Sequence, residues 1–432
     1  MLDIYQTRLG GVVGSRFRRN VVTTGAVGFA VYGLGLATGP ILARSLGPSG
    51  RGDLAAVLVP VQLLSFGLSF GLPSAAAYLV NRFDRGTLLA TSTVFGLVVG
   101  IPLVLATWPL LPGYYQHHGP AALFWAKVFL VATPLSVGAA AALGLIWTDG
   151  ANLRWNLWRA APATLTAILT LGLYLTSGLT VWSALAAAFV GACSILALLV
   201  QKALKWRRLR VSLAVLRSQL SYGGRVVIGS AADTVAGRLD QALMVAMVPS
   251  ADLGLYAVAV TAAGVSGPLA SSLGLALFPE LRRERSAEAQ RRRTGRALLA
   301  VLLTSAGVAA VLALAGPWLL AFLFGDGFAD AATPLRLLLL GQIANDATGP
   351  LTAHLLAAGR PGAASRAAAA AGVVTVAGLA LLVPSFGING AAVTTTVSYL
   401  AKLGVCAFAV RRCGSTESVA VPPHSLSQGG RH

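Results

Sequence analysis

The chain has 432 residues, of which 56% are apolar and only 11% are charged, against about a quarter charged in an ordinary soluble domain. Its 33 Lys and Arg residues outnumber 14 Asp and Glu residues, which gives a formal net charge of +19. So few charges cannot cover a water-soluble surface of this size. The composition therefore excludes a soluble enzyme and indicates a polytopic membrane protein. The three cysteines offer no framework of disulfide bridges.

Twelve apolar stretches, each of roughly the 20 residues that a membrane-spanning helix needs, follow one another along the chain. They lie near residues 21–43, 53–80, 87–111, 121–147, 157–176, 180–201, 223–248, 253–279, 297–323, 331–357, 362–383 and 387–410. The first stretch is too long for the apolar core of a signal peptide, so we expect an uncleaved helix. The predicted fold is an all-α membrane protein with about 12 transmembrane helices.

The cations alternate between the connecting segments. Of the 33 Lys and Arg residues, 27 fall on the termini and on every second segment, whereas the other segments hold only Arg44 and Arg51. By the positive-inside rule, both termini are cytoplasmic and the protein spans the plasma (inner) membrane many times. The outer segments are at most about ten residues long. They leave no room for a separate catalytic domain, so we do not expect an enzyme.

The spans divide into two halves of equal number, which predicts parallel repeats about an axis along the membrane normal. We expect an N-terminal six-helix bundle over residues 1–201, a basic linker over 202–222, a C-terminal six-helix bundle over 223–411 and a disordered cytoplasmic tail over 412–432. The linker mixes cations with leucines, which favours an amphipathic helix lying on anionic membrane lipids. A plain solvated linker is the alternative.

Motifs for soluble chemistry are absent from the sequence. There is no Gly-Lys-Ser/Thr phosphate loop and no His-Glu-x-x-His zinc motif. His117 and His118 share an outer segment that has no carboxylate or thiol beside them, so we expect no metal site. The arginine cluster over 282–293 is explained by the positive-inside rule and does not require a nucleic-acid partner. We expect no cofactor other than a coupling Na⁺ or H⁺.

The informative residues are the ionisable ones within the spans, because a charge at the centre of a membrane helix costs about 2.5–3.5 kcal/mol on insertion scales. The seventh span holds Asp233, Arg238 and Asp240. On a continuous helix the two aspartates share one face, about 10 Å apart along the axis. They are candidates for a coupling-ion or proton site, which hydroxyls of residues 394–396 could complete. The alternative is ion pairing that only holds helices together.

Two more cations occupy corresponding positions in the two halves. Lys127 lies in the fourth span and Arg336 in the tenth, 209 residues later. They either extend to the outer headgroups or supply charge to a shared central cavity. In the second case they would join Arg238 and the outer Arg51 in holding an anionic headgroup. Asp346, later in the tenth span, is a third candidate for the coupling site, and His354 shares its face.

Short motifs recur at the helix boundaries. Residues 44–52 read RSLGPSGRG and residues 71–75 read GLPSA; residues 238–241 read RLDQ, residues 253–256 read LGLY and residues 324–328 read FGDGF. Together, over about residues 20–410, they resemble Wzx-type polysaccharide flippases of the multidrug/oligosaccharidyl-lipid/polysaccharide exporter superfamily. The motifs are more specific for this superfamily than for a substrate.

The resemblance implies a V-shaped pair of six-helix bundles that opens alternately to the two sides of the membrane. The expected substrate is a polyprenyl-pyrophosphate-linked oligosaccharide, and the expected partners include polysaccharide-assembly proteins. Some members have fourteen helices, so the twelve spans keep a cation-coupled multidrug exporter of the same fold as an alternative. A membrane polysaccharide polymerase or ligase is a further alternative, against which the short outer segments argue.

Overall fold

The computed structural model describes residues 2–149, 152–206, 209–284 and 286–413; within these ranges, the side chains of residues 2–22, 29, 152, 226–236, 275 and 413 are outside the description. The described backbone is built from helices and has no strand. The α-helices are α1 (Leu2–Ser69), α2 (Leu72–Leu79), α3 (Arg85–Thr107), α4 (Leu111–Tyr114), α5 (Pro120–Trp147), α6 (Asn152–Leu175), α7 (Val181–Lys205), α8 (Leu213–Ala236), α9 (Leu239–Met244), α10 (Ser250–Ala263), α11 (Gly267–Arg283), α12 (Ala287–Phe324), α13 (Ala332–Ala357) and α14 (Pro361–Cys413).

The two longest helices, α1 and α14, are each folded back at one glycine. Gly47 has φ 67° in α1 and Gly387 has φ 53° in α14, a region that residues with a Cβ rarely adopt. The chain reverses at both points. Residues 31–38 and 58–65 of α1 line the same cavity, and in α14 the Thr375 hydroxyl donates to Ser398 Oγ at 2.9 Å. Each of the two helices is thus an antiparallel pair, as the sequence predicts for these spans.

The apolar length of the helices confirms a multi-pass membrane protein. Seven stretches of the described chain are long and apolar enough to cross a membrane, and both folded helices are among them. Helices α6, α8 and α13 are of similar length, at 24, 24 and 26 residues, but carry more polar side chains. The all-α polytopic class is confirmed, whereas the count of twelve crossings and the side of the termini stay predictions.

The helices form two lobes that share a hydrophobic core at one end. The N-lobe comprises α1–α7 and the C-lobe α8–α14. The largest buried cluster combines N-lobe residues such as Leu54 and Phe129 with C-lobe residues such as Leu253 and Leu335. A second cluster, in the N-lobe and the start of α8, and a third, inside the C-lobe, lie at the opposite end. Following the charge pattern, we call the joined end the outer end and the opposite end the inner end.

The lobes meet at the outer end in a crossing of α1 and α10 without intervening side chains. A Cβ on Gly52 would overlap the carbonyl oxygen of Ser250, and a Cβ on Gly254 would overlap that of Pro48. Small residues allow two membrane helices to approach this closely. The two contacts are reciprocal because each lobe supplies one glycine and one carbonyl. In both helices a Pro-Ser pair stands shortly before the glycine, Pro48-Ser49 in α1 and Pro249-Ser250 at the start of α10.

The connector between the lobes differs from the prediction of a separate surface helix over 202–222. Helix α7 continues to Lys205 and α8 already begins at Leu213. The start of α8 packs on the N-lobe, where Gln219 Nε2 donates to Ser92 Oγ at 3.0 Å and Val215 joins the apolar cluster. These contacts bury Val215 and Gln219, whereas Leu204, Leu209 and Leu213 stay exposed, so the contact of the linker with lipid stays a prediction. The predicted disordered tail lies largely outside the described residues, which end at 413.

The glycine crossing generates a test of the outer contact. Gly52→Ala should lengthen the distance between spin labels at Thr176→Cys in the N-lobe and Asp330→Cys in the C-lobe, in a chain without its native cysteines. The new methyl group meets backbone and cannot be accommodated by a rotamer change, and overpacking of this kind typically costs about 1–3 kcal/mol. Gly67→Ala on the same helix, where a Cβ meets open space, is the matched control. An unchanged label distance in Gly52→Ala would contradict the crossing.

Candidate functional site

The seventh predicted span is interrupted between its two aspartates. Helix α8 ends at Ala236 and α9 begins at Leu239, so Gly237 and Arg238 separate them, and Arg238 is exposed. The shared helix face expected for Asp233 and Asp240 therefore does not apply. Only the backbone of Asp233 is described. A discontinuous helix at membrane depth occurs where its backbone lines a cavity or is covered by protein, and in transporters it marks the binding region.

Asp240 follows this interruption and is buried in the C-lobe, with 3% of its surface exposed. Tyr256 Oη donates to its Oδ2 at 2.6 Å and Thr395 Oγ1 donates to the same atom at 3.2 Å. The structure thus brings one of the three predicted threonine hydroxyls to this carboxylate. The other two, Thr394 and Thr396, donate instead to backbone carbonyls.

Asp346 on α13 forms a second buried carboxylate site, with 4% of its surface exposed. Its Oδ2 accepts from Ser266 Oγ at 2.6 Å and Ser305 Oγ at 2.7 Å, and its Oδ1 accepts from Gln342 Nε2 at 2.6 Å. Asp346 lines a cavity of about 240 Å³ that reaches the α8–α9 interruption at Gly237. His354 does not join it; its Nδ1 lies 2.9 Å from Thr294 Oγ1.

The two aspartates have the same chemical character. Neither forms an ion pair with a cation in the described part of the chain, and both accept hydrogen bonds from neutral groups. Tyr399 lies within electrostatic range of both. A buried carboxylate surrounded by hydroxyl oxygens can take up a proton or a small cation, and such intramembrane acids typically mark ion pathways. For the seventh span, the choice between a coupling site and ion pairing stays open, because Arg238 acts electrostatically on Asp240 and the side chain of Asp233 is outside the described residues.

Two of the four predicted headgroup cations, Arg51 and Arg238, lie within electrostatic range of each other where the lobes meet. Arg51 follows Gly50 at the outer end of the N-lobe, and Arg238 of the C-lobe is close enough to act on it electrostatically. Arg51 Nε is buried and has no hydrogen-bond partner among the described residues. A buried cation normally needs an opposite charge or hydrogen-bond acceptors. A bound anion would offset the like charges of Arg51 and Arg238 and would supply a hydrogen-bond acceptor for Arg51 Nε.

The other two cations lie apart from this pair. Lys127 Nζ lies over the ring of Trp108, 5.5 Å from its centroid, and Trp108 is exposed near the outer end. Arg336 is exposed and its Nε donates to the Ala313 carbonyl at 3.3 Å. Both arrangements fit the alternative in which these side chains extend to the outer headgroups.

A separate cavity of about 600 Å³ lies inside the N-lobe. It is enclosed by α1, α5, α6 and α7, and its lining is mainly apolar, with a few uncharged polar groups such as Gln62, Ser65 and Thr166. It contains no charged residue among the lining side chains. A cavity of this kind suits an uncharged or lipophilic molecule better than a pyrophosphate.

A polar cluster at the outer end was not found from the sequence. His118 Nδ1 lies 3.2 Å from Asp53 Oδ1, although the two residues are 65 positions apart. Ser250 of the C-lobe donates to the same carboxylate oxygen at 2.6 Å. In the sequence, His118 and Asp53 both lie near the outer ends of predicted spans. This position alone does not show that they are in contact, because the contact depends on the packing of α1 against the segment before α5.

Comparison with known proteins gives the family. The family model described as "Polysaccharide biosynthesis protein" matches residues 17–284, which is more than half of the chain. The chain belongs to this family. No curated protein matches it significantly.

Solved structures share the fold over most of the chain. An inward-facing multidrug resistance MATE family transporter of the MOP superfamily aligns with a TM-score of 0.73 at 16% identity, covering 90% of this chain and 96% of the other. The lipid II flippase MurJ, in an inward closed conformation, aligns with a TM-score of 0.71 at 14% identity, covering 90% and 87%. An outward-facing MATE transporter aligns with a TM-score of 0.55 at 17% identity, covering 92% and 96%.

The comparisons confirm several expectations from the sequence. The chain is a multi-pass membrane protein of the polysaccharide biosynthesis family with the fold of MATE transporters and MurJ. The structural neighbours are described as multidrug transporters and a lipid II flippase, and the family model is described as a polysaccharide biosynthesis protein. The better agreement with inward-facing than with outward-facing structures accords with lobes that are joined at the outer end.

Proposed function

We propose that this protein flips a polyprenyl-pyrophosphate-linked oligosaccharide across the plasma membrane for polysaccharide biosynthesis. The lobes separate alternately at the inner and the outer end around one headgroup site. The observation that carries the proposal is the pair Arg51 and Arg238, one from each lobe, with a buried Nε that has no partner among the described residues. The membership in the polysaccharide biosynthesis family supports the class of substrate.

The chemistry of the pair favours a diphosphate. Two guanidinium groups that repel each other become favourable when a multiply charged anion lies between them, because each can donate several hydrogen bonds to phosphate oxygens. Arg238 borders the helix interruption, so the headgroup would lie beside the exposed backbone of residues 237–238. The prenyl chain stays in lipid, where it needs no dedicated site. Anionic lipids are the natural surroundings of the basic inner end.

The buried aspartates supply the proposed coupling. Asp240 lies two residues after Arg238 and acts on it electrostatically. A proton or Na⁺ on Asp240 would change the local charge by one unit and so would alter how strongly the Arg51–Arg238 pair attracts the anion. Asp346 is the second candidate for the same ion, because its cavity reaches the same interruption. Ion binding and headgroup binding are thereby coupled through charge at one place between the lobes.

The headgroup assignment is tested by flipping assays in proteoliposomes with a fluorescent polyprenyl-pyrophosphate-linked oligosaccharide. Arg51→Gln and Arg238→Gln should each lower the flipping rate about ten- to a hundredfold, because each removes charged hydrogen bonds worth about 1.5–3 kcal/mol. Arg336→Gln, which removes an exposed cation at the outer end, is the matched control and should keep the wild-type rate. Wild-type rates in both Arg51→Gln and Arg238→Gln would contradict the proposal.

The coupling assignment has a test of its own in the same assay. Asp240→Asn should abolish the dependence of flipping on an imposed pH or Na⁺ gradient, because an amide neither takes up a proton nor carries the charge that attracts a cation. Asp326→Asn, on the exposed outer segment, is the control. Flipping that stays gradient-dependent in Asp240→Asn but not in Asp346→Asn would assign the ion to Asp346. Gradient dependence that survives in both variants would exclude the two residues.

A second candidate function is export of small lipophilic molecules, and the N-lobe cavity of about 600 Å³ favours it. Unlike the flipping of a pyrophosphate-linked sugar, this function does not require Arg51 and Arg238 to bind an anion. Export of a lipophilic dye that is insensitive to Arg51→Gln and Arg238→Gln, together with no flipping of the lipid-linked sugar, would support this function instead.

A further inference from the structure

We propose that Asp53 and His118 form a proton-binding site, and that the bound proton holds the two lobes together at the outer end. We call the cluster of Asp53, His118 and Ser250 the outer proton site. It lies apart from Asp240 and Asp346, and it faces the outer side of the membrane. The inference rests on the alternating movement of the lobes in the proposed function.

The site is built from both lobes and is closed to solvent. His118 and Asp53 belong to the N-lobe, with 0% and 10% of their side chains exposed. Across the contact, His118 Nε2 lies 2.9 Å from the carbonyl oxygen of Val245, and its Nδ1 lies 2.9 Å from Ser250 Oγ. Asp53 Oδ1 also accepts the backbone N–H of Gly119 at 3.3 Å. Among the described residues, the hydrogen-bond partners of the imidazole beyond Asp53 therefore come from the C-lobe, and Tyr115 of the N-lobe packs against the ring edge-on.

Counting protons shows that the closed site needs one more than a neutral histidine and an ionised aspartate provide. Both ring nitrogens of His118 face acceptors, the Val245 carbonyl and Asp53 Oδ1, but a neutral imidazole carries a single N–H. Ser250 has one hydroxyl proton and cannot donate both to Asp53 and to Nδ1. One further proton, on the imidazole or shared with the carboxylate, satisfies all of these groups together.

When the lobes separate, the site no longer needs the additional proton. Ser250 and the Val245 carbonyl leave with the C-lobe, and water reaches the remaining pair. An ion pair in water is worth little, so the open site holds the proton less tightly than the closed one. Acidity on the outer side therefore favours the joined state. For one linked proton, the ratio of joined to separated molecules changes by at most about tenfold per pH unit.

Other ionisable groups also lie on the elements packed against His118. They are Arg51 on α1, Tyr114, Tyr115 and His117 beside His118, Asp240 on α9, and Asp252 on α10. Burial, and to a smaller extent Tyr114, raise the pKa of Tyr115, so this residue stays neutral. Its hydroxyl donates to the Ala56 carbonyl at 3.0 Å. His117 is exposed and its ring contacts Gln116 of its own segment, not the C-lobe.

The experiment measures the label distance between Thr176→Cys and Asp330→Cys in nanodiscs as the pH is varied from about 5 to 8, the range in which histidine titrates. In the otherwise wild-type chain, the population with the longer distance should grow as the pH rises. His118→Gln and Asp53→Asn should each make the distribution independent of pH. His117→Gln, at a neighbouring histidine that contacts Ser250 through its backbone carbonyl and not through its ring, should keep the wild-type response. Size-exclusion profiles identify any variant that fails to fold.

The outcomes separate this site from the proposed function. A wild-type pH response in both His118→Gln and Asp53→Asn would overturn the proton site. So would a wild-type distance that ignores pH while Gly52→Ala lengthens it, because the lobes would then move without the proton. A distance that changes neither with pH nor in Gly52→Ala would contradict the movement of the lobes, and with it both proposals.

Discussion

The close crossing of α1 and α10 at the outer end is the contact on which the rest of the arrangement depends. Because Gly52 and Gly254 have no Cβ, the backbone of each lobe touches the backbone of the other. The same approach brings Arg51 into range of Arg238 and His118 to the Val245 carbonyl. At the inner end, one apolar cluster joins the N-lobe to the start of α8 and another lies within the rest of the C-lobe. A movement that breaks the crossing would therefore change the cation pair and the outer cluster in one step.

Charge is distributed unevenly between the lobes, and this division suits the proposed transport. The C-lobe carries Asp240 and Asp346, the two buried carboxylates proposed for coupling, which are held by hydroxyl and amide donors. The N-lobe carries a cavity of about 600 Å³ whose lining residues are uncharged. Arg51 and Arg238 lie within electrostatic range of each other between the lobes. An anionic headgroup at that boundary and an ion in the C-lobe would thus interact through charge over a short distance, without a chain of conformational changes through the protein.

Much of the fold follows from the sequence, because hydropathy and cation placement both report the alternation of helices across a membrane. The site follows in part. Thr395 was among the predicted neighbours of Asp240, since a polar run in an apolar helix needs a polar partner. Lys127 and Arg336 occupy corresponding positions in the two halves of the sequence, but their surroundings differ. Lys127 lies over the ring of Trp108, whereas Arg336 donates to the Ala313 carbonyl. Asp53 and His118 could not be paired in advance, because only the tertiary packing brings together residues 65 positions apart. Hydropathy averaged along the seventh span does not reveal that the helix is interrupted at Arg238.

The most direct test of the headgroup site is a structure of the protein bound to a short-chain polyprenyl-pyrophosphate-linked disaccharide in lipid nanodiscs. We expect the two phosphorus atoms between the guanidinium groups of Arg51 and Arg238, with the sugar in the space between the lobes. Density for the ligand inside the N-lobe cavity, with no anion at the cation pair, would contradict the account. That result would favour the export of lipophilic molecules.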